Sequence, residues 1–188
     1  MKTKRQFRFL SLCLLLSLGA VGGNLVVSGE SQAKDAGMVK WDRIEGVVVP
    51  GSAIGSLNVV AGVNSVGFSW TTTMGKAHVN LHNDRLQFWV KGLVLASQNP
   101  GGGLVIGTPS PAVTAVKGTI VCNADDPPPF SNVVLVDTDS VPLSPQGDAQ
   151  FQGEVDLPVV CDDMAFLIRV ADGELINRWI AYGAVRTP

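Results

Sequence analysis

Two histidines, His78 and His82, stand four apart in "GKAHVNLHNDRLQFWVKGL" (75–93), with Asn80 midway. The chemistry such a pair suggests is metal ligation by imidazole. On an extended strand, residues four apart are separated by ~13 Å, whereas one ion needs each nitrogen at about 2 Å. No third histidine exists to complete a set. His78 and His82 are therefore read as polar side chains on the outer face of a hairpin, beside Trp89. There the three become candidate binding residues.

Carboxylates are the second source of chemistry. Asp125 and Asp126 closely follow Cys122, and Asp162 and Asp163 directly follow Cys161. A Cys122–Cys161 disulfide would hold the two Cα atoms within about 7 Å and draw both acidic pairs to one end of the domain. Asp137-Thr138-Asp139 is placed to point the same way. Clustered carboxylates repel unless a cation lies among them, and Ca²⁺ takes six to eight oxygens. Asp125, Asp126, Asp162 and Asp163 are thus the candidate metal ligands, with calcium as the candidate cofactor. The alternative is four solvated loop acids and no cofactor. No EF-hand spacing is present.

No catalytic residue is assigned. A Ser-His-Asp arrangement needs a histidine near a serine on a rigid elbow, but there is no G-x-S-x-G and both histidines share one hairpin. Cys122 and Cys161 are better explained as a bonded pair than as nucleophiles. "NPGGG" (99–103) lacks the Lys-Ser/Thr and the helix of a phosphate-binding loop. Paired carboxylates for glycoside hydrolysis depend on the fold rather than on any spacing along the chain.

Of the tryptophans Trp41, Trp70, Trp89 and Trp179, Trp89 shares a hairpin face with Gln87 and Lys91, opposite Phe88. Outward aromatics on a sheet stack on sugars or form a partner surface. Against this, both faces of 86–95 carry apolar groups, which suits a strand buried on each side.

The elements that must hold these residues read as strands. Gly and Pro punctuate the chain every 8–15 residues, between runs rich in Val, Ile, Thr and aromatics, and no segment of 34–188 keeps a helical period. Strands are expected at 41–49, near 57–60, at 66–73, 76–82, 86–95 and 112–123, in "SNVVLVDT" and "DAQFQGEVDLP", and at 163–171 and 174–187. The histidine hairpin alternates most cleanly: Ala77, Val79 and Leu81 face one way, His78, Asn80 and His82 the other. The resulting set of about nine or ten half-buried strands needs two facing layers or a closed barrel. The expected fold is an all-β antiparallel β-sandwich, with a β-barrel as the alternative.

Residues 1–8, "MKTKRQFR", carry four Lys/Arg and no acid, and the apolar run 9–27 follows. Ser31 and Ala33 then fit the small-x-small rule for cleavage after Ala33. The expected organisation is a signal peptide, 1–33, and one all-β domain, 34–188. The expected location is secreted or periplasmic. The alternative is an N-terminal membrane anchor, since the apolar run is nearly long enough to span a bilayer, although three glycines and Asn24 weaken it. Removing 1–33 takes four bases and one acid from the 14 Lys/Arg and 16 Asp/Glu, leaving a net charge of −5. That balance disfavours nucleic acid and anionic membrane as partners. Two cysteines in an exported domain point to one disulfide.

The hairpin resembles the one that opens CHRD-type (chordin-related) β-domains. The shared pattern, G-x-A-x-x-x-L, a turn, then L-x-x-x-V-x-G-L, is carried by Gly75, Ala77, Leu81, Leu86, Val90, Gly92 and Leu93. "DGELI" (172–176) is similar to that family's late Gly-Glu-Ile stretch, whereas its central His-x-His stretch is missing. The likeness covers about twenty residues. It implies an exported β-domain and transfers no functional residue. The functional expectation is a non-catalytic exported domain binding an extracellular or periplasmic protein or glycan. The alternative is a calcium-dependent structural protein or hydrolase using the loop aspartates.

Overall fold

The computed structural model describes residues 37–49, 57–96 and 105–187. The expected signal segment, 1–33, and the glycine run at 101–103 lie outside the described residues. Strands form where β-branched and aromatic residues alternate with polar ones, and turns fall at Gly, Asn and Asp. The strands are β1 (Met38–Gly46), β2 (Val59–Val60), β3 (Val63–Asn64), β4 (Trp70–Thr71), β5 (Met74–Asn80), β6 (Arg85–Lys91), β7 (Val94–Leu95), β8 (Ala115–Cys122), β9 (Val134–Asp137), β10 (Val141–Pro142), β11 (Ala149–Glu154), β12 (Ala165–Val170) and β13 (Trp179–Thr187).

Nine of them join one antiparallel sheet in the order β10-β8-β12-β13-β1-β5-β6-β11. β9 pairs with the far end of the β8 edge that β10 occupies. β2–β3 and β4–β7 make two small sheets.

The sheet curls. Phe88 in β6 and Phe166 in β12 are four strand spacings apart in this order, about 19 Å if the sheet were flat. Their ring centroids are 5.7 Å apart. The two ends of the sheet therefore close over a shared core, in which Trp41 also meets Phe166 at 5.6 Å and Phe88 meets Phe151 at 6.1 Å. Gly118 in β8 makes room for this contact: a Cβ there would lie 2.8 Å from the Phe88 ring and 3.1 Å from the Phe166 ring. The all-β antiparallel expectation holds, and the two facing layers it required are supplied by one sheet folded towards itself.

Three runs expected to be single strands are broken, and the first is 86–95, which left-handed Gly92 (φ 63°) divides into β6 and β7. In 66–73 only Trp70–Thr71 pairs as a strand; before it, the Ser69 hydroxyl ties the run to the Val49 backbone, accepting from its N–H at 2.7 Å and donating to its carbonyl at 2.9 Å. In 174–187 the strand begins only at Trp179. Gly173 (φ 70°) and Asn177 (φ 68°) are left-handed, so the chain turns there before pairing resumes.

Candidate functional site

β5, β6 and β11 present one continuous outer surface. Across it run the rows Lys76–Trp89–Gln150 and His78–Gln87–Gln152. The inner side chains of the hairpin, Ala77, Val79, Leu86, Phe88 and Val90, are buried. Their alternation with polar partners turns Gln87, Trp89 and Lys91 outwards. Gln87 and Trp89 are half-buried and Lys91, Gln150 and Gln152 exposed, so the expectation that β6 is buried on both faces gives way to a strand with one open face. Trp41, Trp70 and Trp179 are all buried, leaving Trp89 as the accessible indole of the four.

Trp89 borders a cleft of about 580 Å³, whose wall includes Val141, Pro142, Ser144, Asp148 and Gln150. This lies within the range of small-ligand sites. The turn that carries Asp148 is well anchored. Asp148 Oδ1 accepts from Gly92 N–H at 3.0 Å, Leu93 N–H donates to the Gly147 carbonyl at 2.8 Å, and Ser144 Oγ accepts from Asp148 N–H at 2.9 Å. A second depression of about 260 Å³, between Gln87 and Gln152, shares Trp89 and Gln150 with the cleft. Among the described residues, none of Gln87, Gln150, Gln152 and Lys91 has a side-chain hydrogen-bond or ion-pair partner.

His78 lies on this face, diagonal to Trp89. His82 does not join it. It stands in the turn beyond β5, where its N–H donates to Asn80 Oδ1 at 2.9 Å and its ring closes over Gly37. It lies past the Asn80–Arg85 pair, itself ~13 Å along the strands from the level of Trp89. Trp89 and His78 are thus brought together and His82 is set apart.

The Cys122–Cys161 disulfide is formed, with Cα atoms 4.7 Å apart. Beside it, the two residues before Asp125-Asp126 bond to the second acidic pair through the backbone: Asn123 N–H donates to the Asp162 carbonyl at 2.7 Å and Ala124 N–H to that of Asp163 at 3.1 Å. The Asp126 carboxylate accepts from Asn132 N–H at 3.1 Å and from its amide at 3.3 Å. Among the described residues no three of His, Cys, Asp and Glu converge as an ion would require.

Asp137 turns away from that end. Its Oδ1 accepts from Thr119 Oγ1 at 2.7 Å and Arg169 Nη1 at 2.9 Å, and its Oδ2 from Lys117 Nζ at 2.6 Å. Asn177 completes the cluster, its Oδ1 accepting from Lys117 and its carbonyl from Arg169 Nε, both at 2.9 Å. Burial pushes the Asp137 carboxyl up, but the hydrogen bonds from Lys117 and Thr119 and the charges of Arg169 and Lys117 outweigh it and hold its pKa below the usual value. Its contribution to stability is therefore complete above the unfolded carboxylate pKa of about 4, and is lost as pH falls through the lower folded value. Asp137→Asn is expected to cost about 1–3 kcal/mol at pH 7, because it strands a buried guanidinium while the exposed part of the carboxylate limits the loss. Urea midpoints at pH 7 and pH 3 check this: the gap between variant and parent should narrow in acid. On β13, Tyr182 donates to Glu45 at 2.9 Å. That hydrogen bond, with burial adding, raises the phenol pKa. Neither group borders the Trp89 cleft.

No protein-family model, curated protein or solved structure matches the chain. The site is therefore argued from its own chemistry. Gln150, Gln152, Asp148 and Ser144 were not expected at it. The alternation of "DAQFQGEVDLP" does put Gln150 and Gln152 on one face, but only the pairing of β11 with β6 carries them to Trp89.

Proposed function

We propose that this is an exported, non-catalytic β-domain that binds a partner outside the cytosol through the outer face of β5, β6 and β11. The observation that carries the reading is the half-buried indole of Trp89 at the edge of a cleft, beside Gln87, Lys91, Gln150 and Gln152, whose side chains have no partner among the described residues. Such a grouping of one aromatic with a few convergent polar groups is the usual composition of a ligand site. Export is supported by the basic start, the apolar run and the Ser31-x-Ala33 step, and a disulfide suits an oxidising compartment. The resemblance to CHRD-type β-domains agrees with an exported β-domain. Of the seven residues that carry it, Gly75, Ala77, Leu86, Val90 and Leu93 are buried and Leu81 and Gly92 half-buried, so the likeness concerns folding rather than ligand.

The test is expression of the full chain with its own N-terminus, followed by fractionation and binding to washed envelope fragments of the same cells. The protein is expected outside the cytosol, bound saturably to the fragments, and inert towards a panel of ester, glycoside and phosphate substrates. Trp89→Ala should lose at least about tenfold in affinity, the scale of a central aromatic anchor. Turnover of any of those substrates, or cytosolic recovery, overturns the reading.

A further inference from the structure

We infer that the groove along β6 and β11 takes a neutral oligosaccharide, with one sugar ring lying on the indole of Trp89. The inference rests on the binding reading above and names its ligand.

Three observations carry it. The first is the pairing of side-chain types. A sugar ring has an apolar C–H face that stacks on an aromatic plane and a rim of hydroxyls that both donate and accept. Gln87, Gln150 and Gln152 offer amides that do both, and among the described residues none of them is engaged elsewhere. A flat apolar partner would bury those amides unsatisfied, which is costly. The second is shape. The cleft and the Gln87–Gln152 depression share Trp89 and Gln150 as wall residues and follow one another along the strands, which offers more than one ring position beside the indole. The third is charge. Lys91 and Asp148, of opposite sign, stand together at the cleft. Lys76 faces Asp42 at 3.8 Å, and Arg85 is opposite Glu154 in the ladder. The face thus has no field of one sign to select a polyanion. A protein interface would want a contiguous apolar centre depleted of charge, whereas here the apolar wall of Val141 and Pro142 is interrupted by Lys91, Asp148 and Gln150.

The experiment titrates the protein with glucose, mannose, xylose and N-acetylglucosamine oligomers, from disaccharide to hexasaccharide, following tryptophan fluorescence. With the other three indoles buried, a shift reports Trp89. At least one series is expected to give a saturable change that tightens with chain length. Trp89→Ala should abolish it. Gln150→Ala should weaken it about 3–10-fold, one hydrogen bond's worth. Both variants should keep the parent's melting midpoint within a few degrees, since both side chains lie on the outer face. No shift with any neutral series, binding that survives Trp89→Ala, or tighter binding of alginate or heparin overturns the inference. Envelope fragments treated with periodate, which cleaves sugar diols, or with protease separate the two readings. Trp89-dependent binding that survives periodate but not protease leaves a binding domain with a protein partner and removes the glycan. Absence of Trp89-dependent binding to untreated fragments removes both.

Discussion

Phe88→Ala is expected to destabilise the protein by about 3–5 kcal/mol, the usual cost of emptying a buried phenylalanine site. Phe88 is fully buried and touches both Phe166 and Phe151, so β12 and β11 lose a common neighbour. A sharper version uses Gly118. Gly118→Ala places a methyl group 2.8 Å from the Phe88 ring and should cost about 1–3 kcal/mol by overpacking. In a Phe88→Leu background that methyl meets a smaller side chain, and the same substitution should cost less, with only the 3.1 Å approach to the Phe166 ring remaining. The coupling expected from the double-mutant cycle is therefore favourable and about 0.5–3 kcal/mol, measured from chemical-denaturation midpoints. Phe88 and Gly118 lie on strands five positions apart in the sheet order. Costs that simply add would mean that the two do not touch, and the curled sheet would be wrong.

The hairpin around Phe88 is legible because its pattern is local. Ala77, Val79, Leu86, Phe88 and Val90 alternate with polar or amphipathic residues, and a period of two fixes which side goes inwards. The strand order is not legible in this way. Nothing near Phe88 announces that Phe166 will lie across from it. The two-residue strands β2, β3, β4, β7 and β10 are too short to show any period, and β4 is hidden in a longer run of which only Trp70–Thr71 pairs. Asn177 likewise ends a run that composition alone would continue, by adopting a left-handed conformation.

The candidate site divides along the same line. Trp89 and His78 could be placed on one face because they share a hairpin. His82 could not be excluded from that face by alternation, since the strand ends at Asn80 and the turn carries His82 aside. Gln150, Gln152 and Asp148 reach Trp89 only through the β6–β11 pairing, a contact distant in sequence. Asp137 is the converse case. Its place after a β-run suggested company with the other acids, but pairing of β9 with β8 sets it against Lys117 and Thr119, with Arg169 one strand further. Cations scattered along the chain claimed the carboxylate that local spacing had assigned to an acidic end.

Loss of the disulfide is the second large effect expected. Cys122 and Cys161 are 39 residues apart, and closing a loop of that length removes about 4 kcal/mol of conformational freedom from the unfolded chain. The native state gains local order as well, because the bond holds Asn123 and Ala124 in register with the carbonyls of Asp162 and Asp163. Both cysteines are buried, so Cys122→Ala/Cys161→Ala exposes no thiol and leaves only small cavities. The double variant is expected to unfold with a midpoint roughly 8–16 °C lower, at about 2–4 °C per kcal/mol for a domain of this size. Reducing the parent protein should bring it to a similar midpoint, and reductant should not move the double variant. If reduction leaves the parent unchanged, the backbone pairs alone hold this end of the sheet. Closing the loop would then add nothing measurable to the stability of the protein. If both lose the full amount, the covalent link is what keeps β8 tied to the approach of β12, and the curled sheet depends on the chain meeting an oxidising environment as it folds.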